Sequence, residues 1–221
     1  MPTGTYLSTG THLSSMGFDG TQGDETEMMF EKLSGKKVAF LMANEGVEQV
    51  ELTEPLEALR GCGAEVELLA PEAGEIQAFN HLDKAHTFPV DRAVGEADPS
   101  EYDGLVLPGG VANPDILRTE EEALRFVRAF FASGKPVGAI CHAPWTLIDA
   151  GVVEGRTLTS WPSLETDLRN AGAEWVDEEV HVDQGVVTSR KPDDLDAFVS
   201  KVLEELSEGV HEGQKASVAS D

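Results

Sequence analysis

Two adjacent residues, Cys141 and His142, carry the strongest chemical signal in this 221-residue sequence. They follow the apolar run Val137–Ile140 and precede Ala143-Pro144-Trp145. That order places the thiol on a sharp strand-to-helix turn aimed into a cleft, a nucleophile elbow without the Gly-x-Ser-x-Gly letters. Helix N-H groups and the positive dipole end beside the sulfur predict a lowered thiol pKa and an available thiolate. His142, whose unperturbed pKa is about 6.5, is the candidate proton shuttle. Position alone leaves a buried structural thiol and a capping imidazole as the competing readings. Cys62, in Arg60-Gly61-Cys62-Gly63, reads as structural.

Glu48 lies just past the first expected strand. A carboxylate facing a thiolate is repulsive unless one of them holds a proton, so Glu48 is expected as a protonated acid donating a hydrogen bond to the sulfur. A plain helix N-terminal acid is the alternative. Gly109 and Gly110 are candidates for an oxyanion hole because no side chain obstructs their N-H groups, or they make a tight turn. His81 and His86, with Asp83 between them, have no accompanying ligands at zinc spacing and read as surface loop, so no metal is expected. Neither Gly-rich phosphate motif occurs. Trp145, Trp161 and Trp175 read as core or cleft wall.

The elements that must position these residues follow from periodicity. Strands are expected at Val38–Ala43, Glu65–Ala70, Gly104–Leu107, Pro136–Ile140 and Leu158–Ser160. Between them, helical spacing covers Val50–Leu59, a capping box at Thr119-Glu120-Glu121-Glu122 opens a helix to Phe131, and further helices span His142–Ala150 and Leu164–Asn170. Residues 71–97 suggest a small hairpin and loops. Glu174–Val182 and Val186–Ser189 suggest another hairpin before a last helix over Asp193–Leu206. Strands alternating with helices mean an α/β fold with a mainly parallel sheet, whose ligands bind outside the carboxyl ends of the strands. Three such ends carry Glu48, Gly109-Gly110 and Cys141-His142, and these are expected to converge. No internal repeat is visible.

One domain with tails is the expected organisation: a disordered acidic tail over residues 1–34, a domain over 35–206 and a loose tail over 207–221. Met28 and Met29 precede the first structured segment, and sizing the native protein would test them as starts. The formal charge is −25. With no cluster of four Lys or Arg, a nucleic-acid backbone and an anionic membrane are excluded as partners. The acid is spread through the whole chain, which suggests adaptation to high salt. Two cysteines make no disulfide framework, no secretory n-region precedes Lys32, and no apolar run approaches the ~18 residues of a span, so a cytoplasmic protein is expected.

Lys37-Val38-Ala39-Phe40-Leu41 leading to Glu48, Leu105-Val106-Leu107-Pro108-Gly109-Gly110, Ala139-Ile140-Cys141-His142-Ala143-Pro144 and Leu158-Thr159-Ser160-Trp161-Pro162, in this order, resemble the PfpI-like intracellular peptidase family. That family sits in the class I glutamine amidotransferase-like superfamily beside the human Parkinsonism-associated deglycase. The resemblance covers roughly residues 36–206. It implies a flavodoxin-like α/β sandwich, Cys141 as nucleophile, an acid at Glu48, no cofactor, and homo-oligomers from dimers to hexamers. It also implies an acid from a neighbouring subunit at the position of Asp115. Here Asp replaces the frequent Glu and the turn has an extra residue, while Trp161 stands where Tyr is frequent. The implied activity is a cysteine hydrolase acting in carbonyl-stress repair, as deglycase or cofactor-free glyoxalase, or in peptide hydrolysis. The alternative is a redox-sensing stress protein or holdase with Cys141 as oxidation sensor. Glutamine amidotransfer is discounted, because Lys191-Pro192-Asp193-Asp194 lacks a His-x-Glu pair.

Overall fold

The computed structural model describes residues 33–217. Its central sheet contains β1 (Lys37–Leu41), β3 (Glu65–Ala70), β6 (Arg92–Ala93), β7 (Gly104–Leu107), β8 (Val137–Ile140), β11 (Val180–Asp183) and β12 (Val186–Ser189). These lie in the order β11-β12-β8-β7-β1-β3-β6, parallel throughout except where β11 runs against β12. β7 and β8 are buried at every position, because helices cover both faces and a parallel strand must then be apolar on both sides.

On one face α1 (Gln49–Gly61) and α6 (Leu195–Glu208) pack Leu52, Leu56, Leu59, Phe198 and Val202 against Val38, Phe40 and Val106. On the other, α3 (Glu121–Ser133) and α4 (Pro144–Asp149) pack Phe126, Phe130, Phe131 and Leu147 against Ala39, Leu41 and Leu105. The result is a flavodoxin-like sandwich. The strand order reverses at β1, which has β3 on one side and β7 on the other. Such a switch point opens a crevice at the strands' carboxyl ends.

A three-stranded sheet flanks that crevice, formed by β2 (Glu45–Glu48), β4 (Glu75–Asn80) and β5 (Asp83–Pro89). The expected hairpin in 71–97 is therefore β4 and β5, and the loop expected at Glu45–Glu48 is its third strand. His81, Asp83 and His86 lie on this exposed hairpin. The remaining elements are α2 (Ala112–Leu117), β9 (Thr157–Leu158), α5 (Glu165–Asn170) and β10 (Glu174–Trp175).

Several expectations are corrected. The Thr119 hydroxyl donates back to the Ile116 carbonyl at 2.8 Å, and Glu120 is the N-cap of α3 with no side-chain cap bond, so the capping box does not form. Glu174-Trp175 pairs in parallel with Thr157-Leu158 and leaves only Val180–Asp183 for the antiparallel hairpin. The loose tail expected from Ser207 instead continues α6 to Glu208 and then folds back: the His211 N-H donates to the Gly134 carbonyl at 2.7 Å, and the Arg156 guanidinium donates to the Gln214 carbonyl at 2.9 Å. The tail expected over 1–34 lies outside the described residues except for Leu33 and Ser34, and Leu33 is buried in the core.

Candidate active site

Cys141 follows β8 directly and holds φ at +64°. A side chain other than glycine adopts that left-handed region only where its surroundings impose it. Here two backbone hydrogen bonds impose it. The Cys141 N-H donates to the Ser189 carbonyl at 3.0 Å, and its carbonyl accepts from the Trp161 N-H at 2.9 Å. The thiol is thereby presented at the crevice, 5% exposed.

Four groups surround the sulfur. His142 Nδ1 lies 3.1 Å from Sγ. The backbone N-H groups of Gly110 and His142 and the carboxyl of Glu51 lie beside it and act on its protonation. Gly110, at φ +85°, has no room for a Cβ, which would strike the Gly46 carbonyl and the Glu48 nitrogen. A Cβ on Gly109 would lie 2.6 Å from the Glu51 carboxyl and 2.7 Å from Cys141 Cβ. Both glycines are what the close approach of this turn to the thiol requires.

Glu51 is fully buried on α1, and its Oε2 accepts the Gly109 N-H at 2.9 Å. Its Oε1 is buried with no hydrogen-bond partner. Burial, reinforced by the nearby charge of Glu48, pushes its carboxyl up to about 8, so the acid holds its proton at neutral pH. The thiol is also pushed up, first by burial and then by Glu51, against the pull of the Gly110 and His142 N-H groups. This reverses the lowered thiol expected from a helix N-terminus. α4 begins three residues beyond Cys141, whereas the desolvating contacts are immediate. The pair accommodates one negative charge, because two buried anions in contact are prohibitively costly. Burial pushes both groups up, so at neutral pH the thiol as well as the carboxyl keeps its proton, and the sulfur becomes an anion only when a neighbour takes that proton.

The His142 imidazole is clamped between two indoles. Trp161 stacks on it with centroids 5.5 Å apart and an interplanar angle of 23°, and Trp145 meets it edge-on at 5.4 Å and 62°. Burial lowers its pKa to about 4, so at neutral pH Nδ1 is free to take a proton from the thiol.

The sequence-derived candidates divide accordingly. Cys141, His142 and Gly110 come together. Gly109 lies at the same turn, but its N-H is engaged by Glu51 and the second donor is the His142 backbone. Glu48 is not the thiol's partner: its carboxylate accepts the His81 N-H at 3.0 Å, and the acid at the sulfur is Glu51, three residues on. The signal for Glu51 was present as a carboxylate in line with the apolar positions Leu52, Pro55, Leu56 and Leu59 of α1. Asp115 is exposed on α2 and pairs with Arg118 at 2.8 Å. On the buried side of that turn, Asn113 donates its amide to the Pro108 and Gly109 carbonyls at 2.8 and 2.9 Å and accepts from the Ala43 N-H.

Comparison with known proteins places this geometry in context. The model of the DJ-1/PfpI family matches residues 36–205. The chain is 44% identical over 170 residues to Deglycase TK1284 of Thermococcus kodakarensis, covering 77% of this chain and 99% of the relative. It is 43% identical over 169 residues to Protein/nucleic acid deglycase 2 of Escherichia coli, covering 76% and 96%. The crystal structure of Drosophila melanogaster DJ-1beta superposes with a TM-score of 0.71 at 26% identity, over 83% of this chain and 95% of that one.

Proposed function

Since the chain belongs to the DJ-1/PfpI family, we propose that it is a cysteine-dependent deglycase that removes methylglyoxal or glyoxal from early adducts on amines. The observation that carries this reading is the buried thiol held between a neutral imidazole and a proton-bearing carboxyl. The names of the relatives, two of them deglycases, favour carbonyl repair over peptide hydrolysis by the same thiol. A cytoplasmic homo-oligomer without a cofactor belongs to the same proposal. Among the described residues no helix is long and apolar enough to cross a membrane.

The chemistry proceeds in three balanced steps. Cys141 passes its proton to His142 Nδ1, and the sulfur bonds to the carbinol carbon of the adduct while the C-N bond breaks. The departing amine takes the proton back from His142, leaving a hemithioacetal on Cys141. A proton then moves from the sulfur-bearing carbon to the adjacent carbonyl carbon while the hydroxyl proton on the first carbon passes to the carbonyl oxygen of the second, converting the hemithioacetal to a lactoyl thioester. His142 and Glu51 are the groups within reach to carry that proton, and the Gly110 and His142 N-H groups steady the oxyanion. Finally, water cleaves the thioester to lactate and the free thiol.

The test uses a preformed methylglyoxal adduct of Nα-acetylarginine with aminoguanidine present to consume free methylglyoxal. A deglycase releases acetylarginine and lactate at an unchanged rate under scavenging. Release that stops when free methylglyoxal is removed identifies a glyoxalase instead.

A further inference from the structure

We propose that Glu205, Glu208 and His211 form a site for a divalent first-row transition ion such as Zn2+, which fastens the C-terminal extension to α6. Glu208 and His211 lie beyond the family match, which ends at residue 205. One ligand atom from each of the three residues falls within 4.8 Å of the others. Glu205 and Glu208 share a helix face through their i, i+3 spacing, and the returning chain brings the imidazole to them.

Two further observations point to a cation. His211 Nε2 is buried and lies 3.0 Å from Glu205 Oε2, yet it has no hydrogen-bond partner. Glu205 is itself buried, 7% exposed. An ion bound to both atoms satisfies the nitrogen lone pair and the carboxylate together. In addition, the last turn of α6 contains no basic residue, although a helix C-terminus favours positive charge and disfavours Glu205 and Glu208. A divalent ion neutralises both carboxylates.

The ring is held in place for this role. The His211 N-H is tied to the Gly134 carbonyl at 2.7 Å, the Gln214 N-H returns to the His211 carbonyl at 3.1 Å, and the ring packs where a side chain on Gly185 would be. Two carboxylates and one imidazole suit Zn2+, Co2+ or Mn2+ better than a purely oxygen-liganded ion. Glu208 is exposed and free to swing inward to complete the set.

The full chain, stripped with chelator, is titrated with Zn2+ and Co2+ in about 1 M KCl, where screening suppresses loose attraction to the acidic surface. The expected result is one ion per chain, a rise in melting temperature on binding, and at least about tenfold weaker binding in His211→Ala and in Glu208→Gln, each at an exposed or half-buried position. Cys141→Ala binds like wild type. Absence of saturable binding, binding as tight as wild type in both ligand variants, or loss of binding in Cys141→Ala each overturns the site.

Discussion

The carboxyl of Glu51, buried on α1, lies against the Cys141 thiol at the end of β8 and accepts the Gly109 N-H at 2.9 Å. One residue therefore ties together the three chain segments that build the crevice. Its own proton, held at neutral pH, leaves the sulfur free to carry the only negative charge of the pair once His142 takes the thiol proton.

Replacing Glu51 with Gln keeps the hydrogen-bond donor but removes the transferable proton, and is expected to lower kcat/KM by about 10² to 10³. Stability carries a second signature. Folding raises this carboxyl from 4.5 to about 8, so its contribution is fully present below pH 4.5 and is lost as pH rises through 8, on the order of 5 kcal/mol. Urea denaturation across that range should show the loss in wild type and its absence in Glu51→Gln. Parallel curves for the two proteins contradict the assignment.

His142 acts as a base only while neutral. With its pKa lowered to about 4 by burial, kcat/KM is expected to hold to near pH 5 rather than fall by half near 6.5 as for a free imidazole. Trp161→Ala uncovers one face of the ring, and the acid limb of the pH profile should move upward by about one unit. An unmoved limb would show that the indole does not set the environment of His142.

Gly110 is confined by the Gly46 carbonyl and by its own φ of +85°. Gly110→Ala is expected to destabilise the fold by at least about 2 kcal/mol, read from chemical denaturation, and to cost activity even in the folded fraction. A variant of wild-type stability and rate would remove the turn from the site.

Asp115, exposed and paired with Arg118, tests completion of the site by a second subunit. If it acts in trans, Cys141→Ala and Asp115→Asn are each inactive alone, whereas unfolding and refolding them together restores roughly a quarter of wild-type activity in a dimer, because half of the chains form mixed dimers with one intact site each. Full activity of Asp115→Asn on its own sets this residue aside.

The central parallel strands were legible because a parallel sheet buried on both faces leaves continuous apolar runs such as Val38–Leu41 and Val137–Ile140. Cys141 was legible because it sits at the end of such a run. Glu51 was not, since an acid within a helix reads as solvent-facing until the packing of α1 shows that its face is covered. β2 was hidden because Glu45–Glu48 is short and polar at its ends and takes its order from β4. The C-terminal return rests partly on backbone bonds, such as His211 to Gly134, which leave no mark on side-chain pattern.

The account turns on Cys141 as nucleophile. The most direct measurement follows lactate and free amine from the methylglyoxal adduct with wild type and Cys141→Ala of equal folded fraction, together with intact mass of the wild-type chain quenched in acid during turnover. The account predicts product only with wild type and a lactoyl mass increment that maps to Cys141. Product formation at the wild-type rate by Cys141→Ala would contradict it.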